Sequence, residues 1–182
     1  MIADNELMFM VKAGDVEKLG VLFERYKKPL YGFFYRNLRN PSVCEDLVQN
    51  VFVRLLKYRA SFIGNGKFTT WMFQIAHNVF MDHCSKSKRY QSIDEFNEET
   101  FMAEQELTDS VIKEEQIKLL NEALNRLSPE KKEILILSKY QGMKYKEIGE
   151  ILSCSENTVK VRIFRALNEL KTIYTELEGL TV

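Results

Sequence analysis

The chain has 182 residues, in which 26 Lys+Arg balance 26 Asp+Glu, and 45% of its residues are hydrophobic against 29% charged. That length allows one large domain or two small ones, and that composition excludes wholesale disorder. No run reaches the ~18–20 apolar residues of a membrane span, Asp4 and Glu6 stand where a secretory signal would be basic, and Cys44, Cys84 and Cys154 form no CxxC pair, which suits reduced thiols in a cytoplasm.

With 3 Pro, 8 Gly and no sustained apolar alternation, the chain is predicted to be all-α. The first helical pattern runs from Asp15 to about Leu38, with Pro29 as a kink. Asn40-Pro41 reads as a helix start, a capping Asn followed by Pro at the first helical position, and that helix runs to about Arg59. Ser61 to Lys67 contains Gly64-Asn65-Gly66 and must be a loop. Phe68 to about Cys84 is helical again, followed by the basic patch Lys86, Lys88 and Arg89. Residues 91–110 are acidic with weak periodicity and read as a linker. Val111 to Arg126 is a helix with apolar Ile112, Ile117, Leu120, Leu124 and Leu127. Ser128-Pro129 opens another that ends near Gln141-Gly142, and two more span about Tyr145–Leu152 and Glu156–Tyr174. The division is therefore 1–90, a linker at 91–110, and 111–182.

Zero net charge argues against a nucleic-acid partner only until its distribution is examined. Residues 1–90 carry 14 basic and 8 acidic side chains, residues 91–116 one and nine, and residues 117–182 eleven and nine. Two basic blocks are thus joined by a strongly acidic segment. Its self-repulsion and low hydrophobicity predict a segment that does not fold alone, so the two helical blocks are expected to move as separate bodies unless an inhibitor holds them.

Tyr145, Ile148, Gly149 and Leu152 share one helical face, with Gly149 small where a second helix crosses. Ser153-Cys154-Ser155 makes a turn, and Val159, Ile163, Ala166, Leu167 and Leu170 then share the inner arc of the next helix. This is helix–turn–helix spacing. The opposite arc carries Asn157, Thr158, Val161, Phe164, Arg165 and Asn168, flanked by Lys160, Arg162 and Lys171. Cations to hold phosphates around short polar and apolar groups suit entry into a major groove; the alternative is a solvated helix of a bundle. On the 41–59 helix, the arc not covered by apolar side chains holds Asp46, Gln49, Asn50, Val53 and Lys57, a protein-binding stripe or a plain solvated face. The 68–84 helix buries Phe68, Met72, Ile75, Ala76 and Val79 and shows Trp71, Gln74, Asn78 and Asp82 on its other side. Amides and an aromatic beside Lys67 and a Gly-rich loop suit single-stranded bases; a half-buried Trp at a domain rim fits equally. His77, Asp82, His83 and Cys84 lie close together on one helix, but a single helix supplying every ligand is a poor metal site. No P-loop, dinucleotide fingerprint or local catalytic triad is present, so neither enzyme activity nor a metal or cofactor is expected.

Asp46-Leu47-Val48-Gln49-Asn50-Val51-Phe52 resembles the D-x-x-Q-x-x-F motif of region 2 of bacterial sigma factors. Phe68-Thr69-Thr70-Trp71-Met72-Phe73-Gln74-Ile75-Ala76-His77-Asn78 resembles the F-x-T-W-L-Y-x-I-A-x-N run of their extracytoplasmic-function (ECF) class. Leu127-Ser128-Pro129-Glu130-Lys131-Lys132 is similar to the start of region 4, and Tyr145 to Leu152 with Asn157 to Ala166 to its helix–turn–helix. The resemblance spans about residues 8–175, in order and at the right separations. It implies two helical domains, a region 2 bundle and a region 4 helix–turn–helix, in a non-enzymatic promoter-specificity subunit of RNA polymerase. By matching position, Asp46, Gln49, Asn50 and Val53 would meet the clamp helices of the largest core subunit. Ile63, Gly64, Asn65, Gly66 and Lys67 would hold a base flipped from the −10 element, with Trp71, Asn78 and Asp82 beside it. Asn157, Thr158, Lys160, Val161, Arg162, Phe164, Arg165 and Asn168 would read the −35 element. The flap of the second core subunit and an anti-sigma factor are further implied partners, and membrane insertion is not implied. The acidic segment would thread the polymerase's cation-lined channels and mimic RNA charge. The chain departs from the family pattern at Val161, commonly Ser or Thr, and at Ser155-Glu156-Asn157-Thr158, commonly Pro-Val/Ile-Gly-Thr. The rival reading is a free-standing helix–turn–helix regulator, which would bind its duplex site tightly without polymerase.

Overall fold

The first helix, α1 (Asp4–Ala13), lies ahead of where the sequence pattern suggested helix begins. Leu7, Met8 and Val11 recur on one face and are buried. Glu6 accepts a hydrogen bond from the Ala3 N–H at 3.1 Å, and Gly14 at φ 114° ends the helix. Asp15 belongs to the turn that follows, and α2 (Lys18–Leu38) runs through Pro29 rather than stopping there. α3 (Pro41–Lys57) starts as predicted, with the Asn40 carboxamide oxygen accepting from the Val43 N–H at 3.2 Å. A 3-10 turn at Arg59–Ser61 and an irregular loop lead into α4 (Phe68–Tyr90), which absorbs the basic patch predicted to follow it. α5 spans Val111–Arg126, α6 spans Pro129–Leu135 and continues through a π turn at Ile136–Tyr140, α7 spans Tyr145–Ile151, and α8 spans Glu156–Leu180. The computed structural model describes residues 2–90 and 111–180, so the expectations for the 91–110 segment fall outside the described residues.

α2, α3 and α4 pack around Leu22, Phe33, Phe34, Val51, Leu55, Met72, Ala76 and Phe80. Ring contacts such as Phe33 with Phe73 at 5.6 Å fill that bundle. In the C-terminal half, α8 receives α5, α6 and α7, burying Ile134, Ile148, Ile151, Val159, Ile163 and Ala166. The α7–α8 corner is close: a Cβ added at Gly149 would stand 2.6 Å from the Cys154 carbonyl oxygen. Gly149→Ala is therefore expected to destabilise this half by about 1–3 kcal/mol through overpacking, read as a lower urea midpoint for the C-terminal helices.

Three apolar positions of the C-terminal helices are exposed. Ile117 is 58% exposed, Leu167 38% and Leu120 37%. α5 has α8 as its main neighbour, and its apolar stripe is wider than that contact. The surplus lines an open groove with Gln116, Leu170, Lys171 and Tyr174.

The two helical halves touch one another in the structure. α4 packs on α7, α2 packs on α6 and the π turn, and one apolar cluster runs through both halves. Polar side chains stitch this seam. The Arg39 guanidinium donates to Asn121 Oδ1 at 2.7 Å, Lys132 Nζ to the Asn37 carbonyl at 3.2 Å, and Gln141 Nε2 to the Pro29 carbonyl at 3.3 Å. The Arg36 guanidinium sits 4.3 Å from the Tyr140 ring centroid.

Candidate nucleic-acid interface

Asp46, Gln49, Asn50, Val53 and Lys57 lie on the exposed arc of α3, and Val53 is 65% exposed. Asn50 is committed within the chain. Its Oδ1 accepts from Arg54 Nε at 2.9 Å, and the same guanidinium pairs with Asp82 Oδ2 on α4 at 2.7 Å. A polar chain Asn50–Arg54–Asp82 thus joins the two candidate surfaces of this half. Asp82, predicted to face DNA directly, has its charge already met by Arg54.

The 63–67 loop is held from below by α1, which sequence reasoning passed over. Asn5 Nδ2 donates to the Gly66 carbonyl at 2.8 Å, and Asn5 Oδ1 accepts from the Phe68 N–H at 2.7 Å, so one carboxamide fixes both the loop and the start of α4. Lys12 Nζ donates to the Phe62 carbonyl at 2.6 Å. Gly64 has φ 68°, a left-handed conformation that favours glycine, and a Cβ there would displace the exposed Phe9 ring, which stands 2.4 Å from its place. The tip is presented outward: Ile63 is 68% exposed, and Asn65, Gly66 and Lys67 are exposed. The signal for this support was in the sequence, as Leu7, Met8 and Val11 ahead of Gly14 form a short amphipathic turn with a left-handed stop.

Trp71 is not an open stacking platform. It is half-buried, with its ring centroid 5.1 Å from Phe62 and 6.4 Å from Phe68. It wedges the loop against α4 because Phe62 and Phe68 flank the turn on both sides. Asn78 is exposed as predicted. His77 faces the seam instead, its Nδ1 2.8 Å from Glu133 Oε1. Burial pushes the Glu133 carboxyl up against the pull of His77, leaving it above its ordinary value. Among the described residues, no three His, Cys, Asp or Glu side chains converge as metal ligands would.

On α8, Asn157, Lys160, Val161, Arg162, Phe164, Arg165 and Asn168 are exposed, with Phe164 at 65%. Thr158 is the exception. Its hydroxyl lies 2.8 Å from the Ser155 hydroxyl, and its N–H donates to Ser155 Oγ at 3.1 Å, so it completes the helix cap. Ser155 is the N-cap that the sequence assigned only to a turn. Glu156 holds Lys160 at 3.5 Å across one helical turn, within the candidate groove-reading face.

One contact joins the 63–67 loop to α7, the helix ahead of α8. Glu147 caps α7 through Oε2, which accepts from the Lys144 N–H at 2.9 Å, and its Oε1 pairs with Lys67 Nζ at 2.8 Å. Burial acts to raise this carboxyl, but the Lys67 and Lys144 hydrogen bonds and charges outweigh it and hold it below its ordinary value.

Comparison with known proteins gives a consistent family. Residues 22–90 match the Sigma-70 region 2 family and residues 117–170 the Sigma-70, region 4 family. The ECF RNA polymerase sigma factor SigW of Bacillus subtilis is 30% identical over 170 residues, covering 88% of this chain and 91% of that protein. RNA polymerase sigma factor YlaC of Bacillus subtilis is 29% identical over 160 residues, covering 85% and 91%. Among solved structures, the sigma factor RpoE of Bartonella quintana, in complex with the anti-sigma factor NepR, superposes with a TM-score of 0.71 at 25% identity, covering 86% of this chain and 96% of that one. CnrH in complex with the cytosolic domain of CnrY shares the fold, with a TM-score of 0.72 at 20% identity over 96% and 99% of the two chains.

Proposed function

The chain belongs to the ECF class of sigma-70 RNA polymerase sigma factors, and from that premise we propose that it docks on core polymerase through α3, captures the melted −10 strand in the 63–67 loop and reads the −35 duplex with α8. It is a sigma factor for transcription initiation, and its work is specificity rather than catalysis. The observation that carries the finer reading is the loop: an exposed, glycine-dependent tip fixed in shape by Asn5 and Phe9. A fixed, exposed tip with amide and cation at its edge suits a base leaving its stack, since it is ordered before the strand arrives. On α8, Arg162 and Arg165 would hold phosphates while Val161, Phe164 and Asn168 meet base edges.

The remaining partners follow the family. Asp46, Gln49, Asn50 and Val53 would meet the clamp helices of the largest subunit. The flap of the second subunit would meet region 4, where the Ile117–Leu120–Leu170–Tyr174 groove offers an apolar face. An anti-sigma factor is proposed because a related sigma factor is held by one. The site of action is the cytoplasm, where the polymerase works; among the described residues no helix is long and apolar enough to cross a membrane.

Core polymerase carrying this chain, on a promoter selected from a library, should bind a forked template about 10-fold or more above the paired one, because opening and flipping a base costs a few kcal/mol. Asn65→Ala with Lys67→Ala should erase that preference. Equal losses on forked and paired templates would make the loop a structural element only.

A further inference from the structure

Three residues of α1 stand on the loop proposed to take the −10 strand. Asn5, Phe9 and Lys12 fall at i, i+4 and i+7, which is one face of a helix. Each meets a different part of the turn. Asn5 holds the Gly66 carbonyl and the Phe68 N–H, the Phe9 ring stands against Gly64, and Lys12 holds the Phe62 carbonyl. The helix that carries them is itself fixed. Leu7, Met8 and Val11 are buried, and at its start Asp4 pairs with the Arg25 guanidinium at 2.5 Å and accepts from the Tyr26 hydroxyl. α1 also lies ahead of residues 22–90, the part of the chain that matches region 2.

Asn5 is committed to backbone through both ends of its carboxamide, whereas Phe9 has a surface to spare. Its ring meets the loop tip-on, with Cζ and Cε2 nearest to Gly64, so the loop leaves the ring faces uncovered. Phe62 stands at 5.2 Å between centroids, tilted by 58°, and Phe9 remains 44% exposed. Lys12 is exposed too, and its bond to Phe62 uses one of three ammonium protons. Trp71, the aromatic that the sequence suggested for stacking, is wedged against Phe62 and Phe68.

We propose that α1 is the second wall of the strand-capture site: the base that enters the 63–67 loop stacks on the open face of Phe9, and Lys12 takes the phosphate next to it. This rests on the reading of the loop as the capture site and supplies the stacking surface that Trp71 does not. An aromatic ring beside a cation is the combination that holds single strands, the ring giving affinity for any base and the cation giving salt dependence. Lys12 at one end of the loop and Lys67 at the other favour a polyanion over an apolar protein face. Selectivity among bases then falls to the exposed Asn65 amide, since a ring face accepts all four.

The test uses core polymerase carrying the full chain on the forked promoter template, and on the same template with one abasic site at each unpaired position in turn. In the wild type, base removal should cost most at one position, and that cost should vanish with Asn65→Ala and Lys67→Ala. Phe9→Leu keeps an apolar contact with Phe62 and removes the ring. It should weaken binding to the intact template about tenfold and to the template abasic at that position less than about twofold, while Phe9→Tyr should bind like the wild type. Lys12→Gln should lower the slope of log affinity against log salt by about 0.7, the share of one phosphate on a single strand. Where Phe9→Leu folds poorly, 5-iodouracil placed at the captured position of the wild-type complex serves instead: irradiation couples it to a ring stacked on it, and the cross-link should map to Phe9.

Equal effects of Phe9→Leu on the intact and abasic templates, or a cross-link that maps away from α1, overturn the proposal and leave the loop reading standing. An unchanged salt slope in Lys12→Gln overturns the phosphate contact. A wild type indifferent to base removal at every position, or a base whose removal costs as much with Asn65→Ala and Lys67→Ala in place, overturns both the proposal and the loop reading.

Discussion

Asp46→Ala combined with Gln49→Ala is expected to weaken binding to core polymerase by about one to two orders of magnitude, since each well-made contact at an interface centre contributes ~1–2 kcal/mol. Both side chains are exposed on the outer arc of α3, one helical turn apart, while Leu47, Val48 and Val51 on the inner arc hold the bundle. Exposed polar substitutions of this kind cost folding about 0.5 kcal/mol or less each, so the loss should appear in core affinity and not in the melting curve. Asn50 is a less clean choice. Its Oδ1 holds the Arg54 guanidinium that also neutralises Asp82, so Asn50→Ala should disturb both the exposed arc of α3 proposed to meet polymerase and the α4 stripe proposed to meet DNA. Competition against labelled wild-type chain for core, with circular dichroism on each variant, measures both quantities. A folded double variant that competes as well as the wild type places the core contact elsewhere.

The helices were legible where periodicity, caps and stops agreed. Asn40-Pro41 starts α3 and Val111–Arg126 is α5 as read. The exposed face of α8 was legible for the same reason, because a helix buried on one arc must present the other. What could not be read was whatever depended on a distant partner. Asn5 looks like any surface amide until α1 is laid under the loop, 61 residues away in sequence. Trp71 reads equally as a platform or a rim residue, and only Phe62 on one side and Phe68 on the other decide it. Thr158 sits in a base-reading register, yet Ser155 three residues earlier claims it for the cap. The seam was invisible because its members are polar and scattered. Lys132 and Glu133 follow a helix start rich in charge, where solvent exposure is the ordinary expectation. Their burial follows from α6 being pressed between α2 and α8, which no local pattern encodes.

That burial gives closure of the two halves a pH dependence of definite sign. Lys132 is 7% exposed, with its ammonium donating to Asn125 Oδ1 at 2.7 Å and across the seam to the Asn37 carbonyl at 3.2 Å. Burial first, and the nearby Arg39 charge second, lower its pKa from 10.5 to about 8. When the halves part, the ammonium regains water and its ordinary affinity for protons. Between about pH 8 and 10.5 the open form therefore binds more protons than the closed one, and closure strengthens as pH rises. The gain from pH 7 to 10 is about 2.5 kcal/mol, roughly seventyfold in the closure constant. Groups of the N-terminal half act on global stability in the opposite direction, Tyr31 among them through burial of its phenol. Burial pushes the Cys44 thiol from 9.0 to about 12, and burial with the hydrogen bond to Asp4 pushes the Tyr26 phenol up as well. Folding keeps both protonated, so their contribution declines as pH passes their ordinary values, but both lie inside the N-terminal half and are untouched by parting the seam. Glu133, raised by burial, likewise opposes closure with rising pH, beginning from the ordinary carboxylate value of 4.5 on the acid side. Closure and global stability should accordingly diverge above about pH 9: energy transfer between labels at exposed Glu45 and Glu178 should rise to a plateau while the urea midpoint stalls or falls. Lys132→Met keeps the bulk and removes the titration, so its energy transfer should be flat from pH 7 to 10. A Lys132→Met chain that still tightens with pH would assign the effect to another group at the seam, and an unchanged wild-type signal over that range would mean that Lys132 stays buried when the halves part.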